Sequence, residues 1–361
     1  MRKYGAIICV SVVCLLLCVP AAQAKNYAVL ISAGQATRDD AVCNSEYWYD
    51  MLLQYTTLLD EGYSHDDIHV LYGHGTDFNS KYACYQVPYT VADYAVSRAN
   101  IQSLFNTLSG VIKEGDFFYV WWMGHGGKSG NNLRMVIETT GESVYDYEFA
   151  SWVDRITDYD TRGFSWMTCH SGGILDDLEK KPRSIVMSSA TFEQSTASDW
   201  LCDSYHAEFH YPETCAWHWE TPCGICGGIN ADTNGNGRVS YSEAFTWAKN
   251  HTTHSTPQIS DLSGLAPDTY LGGVPGCTGD EMIKKTKCKE KRGVNVLRVK
   301  LVKGSGGDSF TVKLDSGEEV NGTLNGKGKG KAKFKGLSSG PGKATATWGC
   351  GAEDTKDYAC P

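Results

Sequence analysis

The stretch that decides the fold is FFYVWWMGHGG, residues 117–127. A short run of bulky apolar residues that ends in turn-forming residues is typical of a strand buried on both faces of a parallel sheet. His125 would then stand at the carboxyl end of this strand, where open α/β sheets place their ligand sites. The glycines around it let the backbone turn and let a substrate come close. The alternative is an ordinary histidine in a loop at a strand end.

A second stretch, FSWMTCHSGG at residues 164–173, repeats this pattern 44 residues after His125. An apolar strand is followed by Cys169 and then by small residues that open a helix. Neighbouring parallel strands would bring Cys169 and His125 to the same edge of the sheet. A helix N-terminus and a nearby imidazolium favour the thiolate, which is the nucleophilic form of cysteine. The alternative is a buried structural cysteine near an unrelated histidine.

The rest of the first 260 residues alternates strand-like and helix-like segments. Such alternation predicts an α/β fold with a mostly parallel sheet flanked by helices. The expected strands cover residues 27–33, 68–73, 117–123, 134–139, 163–168 and 183–190, and the expected helices cover residues 45–62, 97–115 and 146–156.

Residues 1–24 have the features of a signal peptide: a basic start, a short apolar core and a small-residue ending at Ala24. We therefore expect the protein to be exported, either secreted or periplasmic. Of the 14 cysteines, 11 follow this segment. An odd number in an oxidising compartment predicts one unpaired thiol beside disulfides, and Cys169 is the natural choice for it.

Charge divides the chain into two parts. The formal net charge is −9, yet residues 284–361 carry 17 lysines and arginines against 8 acidic residues. We expect an acidic α/β domain over residues 25–288 and a small, basic, all-β module over residues 289–361. In KGKGKAKFK, residues 327–335, five alternating lysines would share one face of a strand. This pattern favours an edge strand protected by lysine over a binding stripe for an acidic surface or polymer, which stays the alternative.

The two motifs, together with YAVLISAGQ at residues 27–35, resemble the caspase–hemoglobinase fold of cysteine peptidases, and its legumain-type branch most. The resemblance covers residues 26–255. It implies that Cys169 attacks the scissile carbonyl and that His125 protonates the leaving amine. It also implies an oxyanion hole formed by the amides of Gly126 and Cys169.

The resemblance carries less information on specificity. It would make Arg38 a residue of the S1 pocket, but Ala36 and Met167 stand where the family has an asparagine and a glutamate. An asparagine substrate side chain needs both donors and acceptors, so strict asparagine preference is not expected. Arg38 alone would favour aspartate, whereas Glu193 or Asp199 could instead bind a basic side chain.

The segment DTNGNGRVSYSE, residues 232–243, matches an EF-hand calcium loop. The six ligand positions are filled by Asp232, Asn234, Asn236, the carbonyl of Arg238, Ser240 and Glu243. We expect a structural calcium ion rather than a vestigial loop. Zinc is the alternative use of the cysteines and histidines of residues 202–226, where disulfides are favoured because the cysteine spacing is irregular.

These patterns predict an exported, calcium-stabilised cysteine endopeptidase that acts on peptide or protein substrates and has no nucleic-acid partner. A transpeptidase of the same fold is the first alternative, because an amine can resolve the same acyl-enzyme. A catalytically silent, calcium-dependent surface-binding protein is the second, and the presence of both His125 and Cys169 argues against it.

Overall fold

The computed structural model describes ten stretches of the chain. They are residues 24–34, 46–80, 83–196, 210–217, 231–234, 238–272, 281–304, 309–325, 327–349 and 352–361.

The first part of the chain is a mixed α/β domain. Its strands are β1 (Asn26–Ser32), β2 (Ile68–Tyr72), β3 (Phe117–Met123), β4 (His125–Ser129), β5 (Asn132–Ile137), β6 (Glu142–Tyr145), β7 (Thr161–Met167), β8 (Ser184–Ser188) and β9 (Gln258–Ser260). Its helices are α1 (Glu46–Asp60), α2 (Arg98–Val111), α3 (Asp146–Val153), α4 (Leu175–Leu178), α5 (His210–Trp217) and α6 (Tyr241–His251).

Six of these strands form one sheet in the order β2-β1-β3-β7-β8-β9. All neighbours pair in parallel except β8 and β9, which are antiparallel. The expectation of a mostly parallel sheet with helices is confirmed.

Both faces of this sheet are covered, as the apolar run of β3 predicts. Phe117, Tyr119, Trp121 and Met123 pack in one hydrophobic cluster with α1 and α6. The alternate residues of β3 pack in a second cluster with α2 and α3. Because side chains point to opposite faces along a strand, a strand between two helical layers must be apolar at every position.

A second, three-stranded antiparallel sheet follows β3 directly, in the order β4-β5-β6. The sequence predicts only one strand here, over residues 134–139, and treats the glycines after Met123 as a turn. In the structure only Gly124 separates β3 from β4, and Gly130 adopts a positive φ of 62° in the tight loop to β5. His125 is therefore the first residue of a hairpin, which fixes its backbone more firmly than a loop would.

The remaining strands form the all-β module. They are β10 (Met282–Lys291), β11 (Val294–Val302), β12 (Ser309–Leu314), β13 (Glu319–Thr323), β14 (Gly330–Lys335), β15 (Gly340–Trp348) and β16 (Glu353–Cys360). They make a sheet of order β10-β11-β14 and a sheet of order β13-β12-β15-β16. Leu297, Phe310, Phe334 and Trp348 belong to the core that these sheets share.

The module begins earlier than the predicted boundary between residues 288 and 289. That boundary falls inside β10, which starts at Met282 and pairs with β11 over its length. A disulfide joins Cys288 of β10 to Cys360 of β16. No helix in the described stretches is long and apolar enough to cross a bilayer.

Candidate active site

His125 and Cys169 leave the sheet at neighbouring points of the same edge. Strands β3 and β7 pair in parallel, and their last pair in register is Met123 with Met167. The N–H of Gly124 donates to the carbonyl of Met167 at 3.1 Å, which holds the two chains together just past the strand ends. His125 and Cys169 each follow two residues after this last pair, so the predicted juxtaposition of their backbones is confirmed.

The site lies beside a topological switch point. The chain leaves β1 to form β2 on one side, whereas β3 lies on the other side of β1. Such a reversal opens a crevice at the carboxyl ends of the strands, which is where ligands bind in open α/β sheets. Ala33 and Gly34 follow β1 at this edge, and the N–H of Ala33 donates to the carbonyl of Met123 at 2.8 Å.

Two side chains contact the imidazole of His125. Oε1 of Glu138 lies 3.1 Å from Nε2, and the hydroxyl of Tyr47 lies 3.1 Å from the same nitrogen. The hydrogen bond with Glu138 raises the pKa of His125, and this effect outweighs burial, which lowers it. The His125 side chain is 57% exposed, so the imidazole ring faces solvent on the side away from these two partners.

Tyr47 projects from the first turn of α1 and is buried. Burial raises the pKa of its phenol far above the ordinary value, and the negative charges of Glu46 and Glu138 act in the same direction. It therefore remains a neutral hydroxyl beside His125. Its ring sits where a β-carbon on Gly34 would lie, since such an atom would be 2.2 Å from the ring.

Cys169 is a free cysteine and is partly exposed. Its Sγ lies 3.6 Å from the carbonyl oxygen of Thr196. Among the described residues, no hydrogen bond joins Sγ to His125. Catalytic hydrogen bonds often tighten only when substrate binds, so this geometry is compatible with a Cys-His pair.

The turn after Cys169 is tightly held. His170 has a positive φ of 63°, its N–H donates to the carbonyl of Gln194, and its Nδ1 lies 2.8 Å from the carbonyl oxygen of Phe192. The N–H of Ser171 turns back to the carbonyl of Thr168. The backbone N–H of Cys169 makes no hydrogen bond to any part of the chain that the structure describes.

Gly126 packs directly against the segment that carries the cysteine. A β-carbon at this position would lie 2.2 Å from the carbonyl oxygen of Cys169 and 2.8 Å from Cβ of Thr168. Real atoms do not approach so closely, and both contacts involve parts of the chain that cannot move aside. Only glycine fits here.

The N–H of Gly126 points away from the hairpin. On β5, the N–H of Leu133 donates to Oδ2 of Asp146 rather than to β4, so Leu133 and its partner Lys128 are a non-hydrogen-bonded pair. Such pairs alternate along an antiparallel ladder, which makes Met135 and Gly126 another one. The N–H of Gly126 is thus left free by β5.

Of the three residues predicted to set specificity, only Glu193 lies among the described residues. Arg38 and Asp199 lie outside the described residues. Glu193 is 74% exposed, and its carboxylate pairs with the ammonium group of Lys128 at 2.5 Å. Lys128 also lies over the ring of Phe192 at 4.6 Å. Glu193 therefore reaches the hairpin of His125, with its charge already matched by a cation.

The last residue of the predicted calcium loop, Glu243, contacts the described residues near the start of the loop. Oε1 of Glu243 accepts hydrogen bonds from the N–H groups of Thr233 and Asn234, and Oε2 accepts from the N–H of Ser240. Burial raises the pKa of Glu243, but these hydrogen bonds lower it by more, and the net shift is downward. Glu243 also forms a capping box with Ser240 at the start of α6.

These contacts bear on whether calcium fits. The hydrogen bonds from Thr233 and Asn234 bring Glu243, the last ligand position, next to the residues that follow Asp232, the first position. However, donors already occupy both oxygens of Glu243, so a bound ion would replace some of them. Among the described residues, no group of three or more acidic, histidine or cysteine side chains is arranged so that it could hold a metal ion. Arg238 and Ser240 are described, whereas Asn236 lies outside the described residues.

The sequence does not predict the contacts of Glu138 and Tyr47 with His125. It places Glu138 at the end of a predicted strand, and the fold-back of the hairpin gives this residue its position beside His125. Tyr47 belongs to an amphipathic helix, where an aromatic residue normally indicates core packing. A two-residue loop containing glycine between residues 125–129 and 132–137 was the signal that could have revealed the hairpin.

No protein-family model and no curated protein matches this chain. Among solved structures, the chain is similar to the crystal structure of protein GSU0716 from Geobacter sulfurreducens. The TM-score is 0.41 and the sequences are 11% identical, with 65% of this chain and 92% of that chain covered.

Proposed function

We propose that this protein is a cysteine endopeptidase of the caspase–hemoglobinase fold and legumain type, in which Cys169 and His125 form the catalytic dyad. The observation that carries the proposal is their placement two residues beyond the paired strand ends Met123 and Met167. Placement on two adjacent strands fixes the backbones of both residues, as a reaction between nucleophile and substrate requires.

In the proposed reaction, the thiolate of Cys169 attacks the scissile carbonyl carbon. The imidazolium of His125 gives its proton to the leaving amine as the C–N bond breaks, and a thioester remains. Water then attacks the thioester, with neutral His125 accepting a proton, and the thiolate departs. The hydrogen bond from His125 to Glu138 supports this role, because it favours the protonated imidazole that the first step consumes.

The proposed oxyanion hole consists of the N–H groups of Gly126 and Cys169. Both are free of partners in the contacts described above, and the backbones of the two residues touch. One such donor contributes on the order of 3 kcal/mol to lowering the barrier. Because Gly126 lies so close to the carbonyl oxygen of Cys169, we propose that this site requires glycine at position 126.

The proposed specificity is not strict for asparagine. Met167, at the place of the family's glutamate, is buried, and its sulfur accepts a hydrogen bond from Thr196 at 3.6 Å. It offers no charge to a substrate amide. The carboxylate of Glu193 is already paired with Lys128. We propose Arg38 as the charged determinant, which favours an acidic residue before the cleaved bond, and Asp199 stays the alternative for a basic one.

We further propose that the protein is exported and that calcium binds the loop of residues 232–243. Asp232, Asn234, Asn236, Ser240 and Glu243 would supply side-chain oxygens, and Arg238 its carbonyl. The ion would stabilise the junction between this loop and α6, and it has no part in the reaction.

A thiol-directed probe tests the function. A biotinylated peptidyl acyloxymethyl ketone with aspartate at its reactive end should label the protein at Cys169 and leave Cys169→Ala unlabelled. A positional-scanning peptide library should then show cleavage. Absence of both labelling and cleavage would refute the peptidase. Ligated products in the presence of an added amine would instead identify the transpeptidase.

A further inference from the structure

The outer face of the sheet β10-β11-β14 carries a regular array of positive charge. Pairing across the three strands places Lys285, Lys300 and Lys331 in one row. The next row holds Lys287, Arg298 and Lys333, and the last holds Lys289, Val296 and Lys335. We call these nine positions the cationic array. Eight of them are basic, and all eight basic residues are exposed.

The array is one face of a sheet whose other face is core. The residues that alternate with it, such as Leu297, Val299 and Phe334, are buried in the hydrophobic cluster of the module. Side chains of alternate residues point to opposite faces, so the eight cations must share the solvent side. The strand spacing of about 4.8 Å and the two-residue repeat of about 6.7 Å give an array roughly 10 Å by 13 Å.

This arrangement opposes the stability of the module. Like charges directly across a strand pair destabilise a sheet. No residue of the array takes part in a salt bridge within the described stretches. The charges of Lys289 and Lys285 lower the pKa of Lys287, the central cation of β10, which shows how closely the ammonium groups face one another.

Protection of a sheet edge does not explain the array. Lysines guard edge strands against pairing with other chains, and β10 and β14 are the edges of this sheet. Arg298 and Lys300, however, belong to β11, whose two edges are both already paired. A charge on the central strand does not guard an edge, so edge protection does not account for Arg298 and Lys300.

We propose that the cationic array binds a linear acidic polysaccharide, whose carboxylate or sulfate groups supply the counter-charge that the module lacks. Several observations favour this partner over other polyanions. The array contains no aromatic side chain, and proteins that bind single-stranded nucleic acid stack bases on aromatic rings. Val296 is its only apolar member and is 8% exposed, so the nine positions of the array present no apolar side chain for insertion into a lipid bilayer.

The binding test uses the full chain and a fluorescent heparin oligosaccharide as the probe, with anisotropy measured between about 0.05 and 0.5 M NaCl. The variant Lys287→Gln/Arg298→Gln/Lys333→Gln removes the middle row. The matched control Lys113→Gln/Lys313→Gln/Lys343→Gln removes the same net charge from exposed positions elsewhere. We expect the middle-row variant to bind at least about tenfold more weakly and to lower the salt slope of log Kd by about two, with the control unchanged.

Thermal melting separates binding from folding. Removing mutually repelling charges should leave the melting temperature of the middle-row variant equal to or above that of the original chain. Three outcomes would overturn the proposal: no heparin binding at about 0.15 M NaCl, an equal loss in the control variant, or tighter binding to a single-stranded oligonucleotide or an anionic vesicle than to heparin.

Discussion

Oε1 of Glu138 lies 3.1 Å from Nε2 of His125, although the two residues are 13 positions apart in the sequence. The hairpin β4–β5 causes this contact. His125 pairs with Val136, and Glu138 follows two residues later along the same chain. The register of the two strands therefore brings the carboxylate to the imidazole. Glu138 thus adds a third group to the proposed dyad of Cys169 and His125.

Replacing Glu138 by glutamine should shift the pH dependence of activity. The raised pKa of His125 keeps the imidazolium present to higher pH, so Glu138→Gln should move the alkaline limb of kcat/KM to lower pH. At neutral pH the loss should be well below the roughly 100-fold or larger loss expected from removing the imidazole itself. Peptide turnover measured between about pH 5 and 9 checks this, with Glu114→Gln, an exposed glutamate, as control.

The contact between His125 and Glu138 should also make the unfolding free energy depend on pH. A group whose pKa is raised by folding stabilises the protein below its ordinary pKa, here 6.5, and this contribution disappears as the pH rises through the folded-state value. The difference between the original chain and Glu138→Gln should thus be largest at mildly acidic pH, where carboxylates are ionised and imidazoles are protonated, and vanish in alkali. Because the ion pair is partly exposed, the difference in unfolding free energy should not exceed about 1 kcal/mol. A difference that grew with pH would contradict the assignment.

Cys169→Ala and His125→Ala should each abolish peptide cleavage and leave folding intact. Both side chains are partly exposed at strand ends, so neither removal opens a cavity. The expected loss in kcat is roughly 1000-fold or more. Turnover and melting curves test this, with the exposed His251→Ala as control. Near-normal turnover by Cys169→Ala would disprove the mechanism.

Two neighbouring glycines give a sharper test of the site. In Gly126→Ala the new β-carbon would meet the carbonyl oxygen of Cys169, whereas in Gly127→Ala it would only contact the guanidinium of Arg134 at 3.7 Å. We expect the first variant to lose activity and about 1–3 kcal/mol of stability, as overpacked sites do. The second should retain both. Similar behaviour of the two variants would show that residue 126 is not a point of close approach.

Calcium should raise the unfolding free energy of the α/β domain. A ligand that binds only the native state at a hundredfold excess over Kd adds about 2.7 kcal/mol. Asp232→Asn should remove this gain while leaving the capping box of Ser240 and Glu243 unchanged. Differential scanning calorimetry with and without a chelator measures the effect. Identical melting curves under both conditions would contradict calcium binding at this loop.

The sequence was sufficient for the parts of the site that depend on strand periodicity. The apolar runs before His125 and Cys169 specify buried parallel strands, and parallel strands end at a common edge. The start of β10 is harder to predict from the sequence, because MIKKTKCKEK has few apolar residues. Its alternation can be seen only when the basic residues are known to form the exposed face of the strand. Glu138 and Tyr47 depend on tertiary fold-back, which leaves no local periodicity to detect.

The disulfide between Cys288 and Cys360 has a mechanical consequence. Strands β11 to β15 all lie inside the covalent loop that it closes. Tension applied to the chain outside residues 288 and 360 would pass through the sulfur–sulfur bond and bypass these five strands. Their hydrogen bonds would carry no load, so the members of the cationic array on β11 and β14 would keep their spacing when the two ends of the module are pulled apart, whereas Lys285 and Lys287 of β10 lie outside the loop.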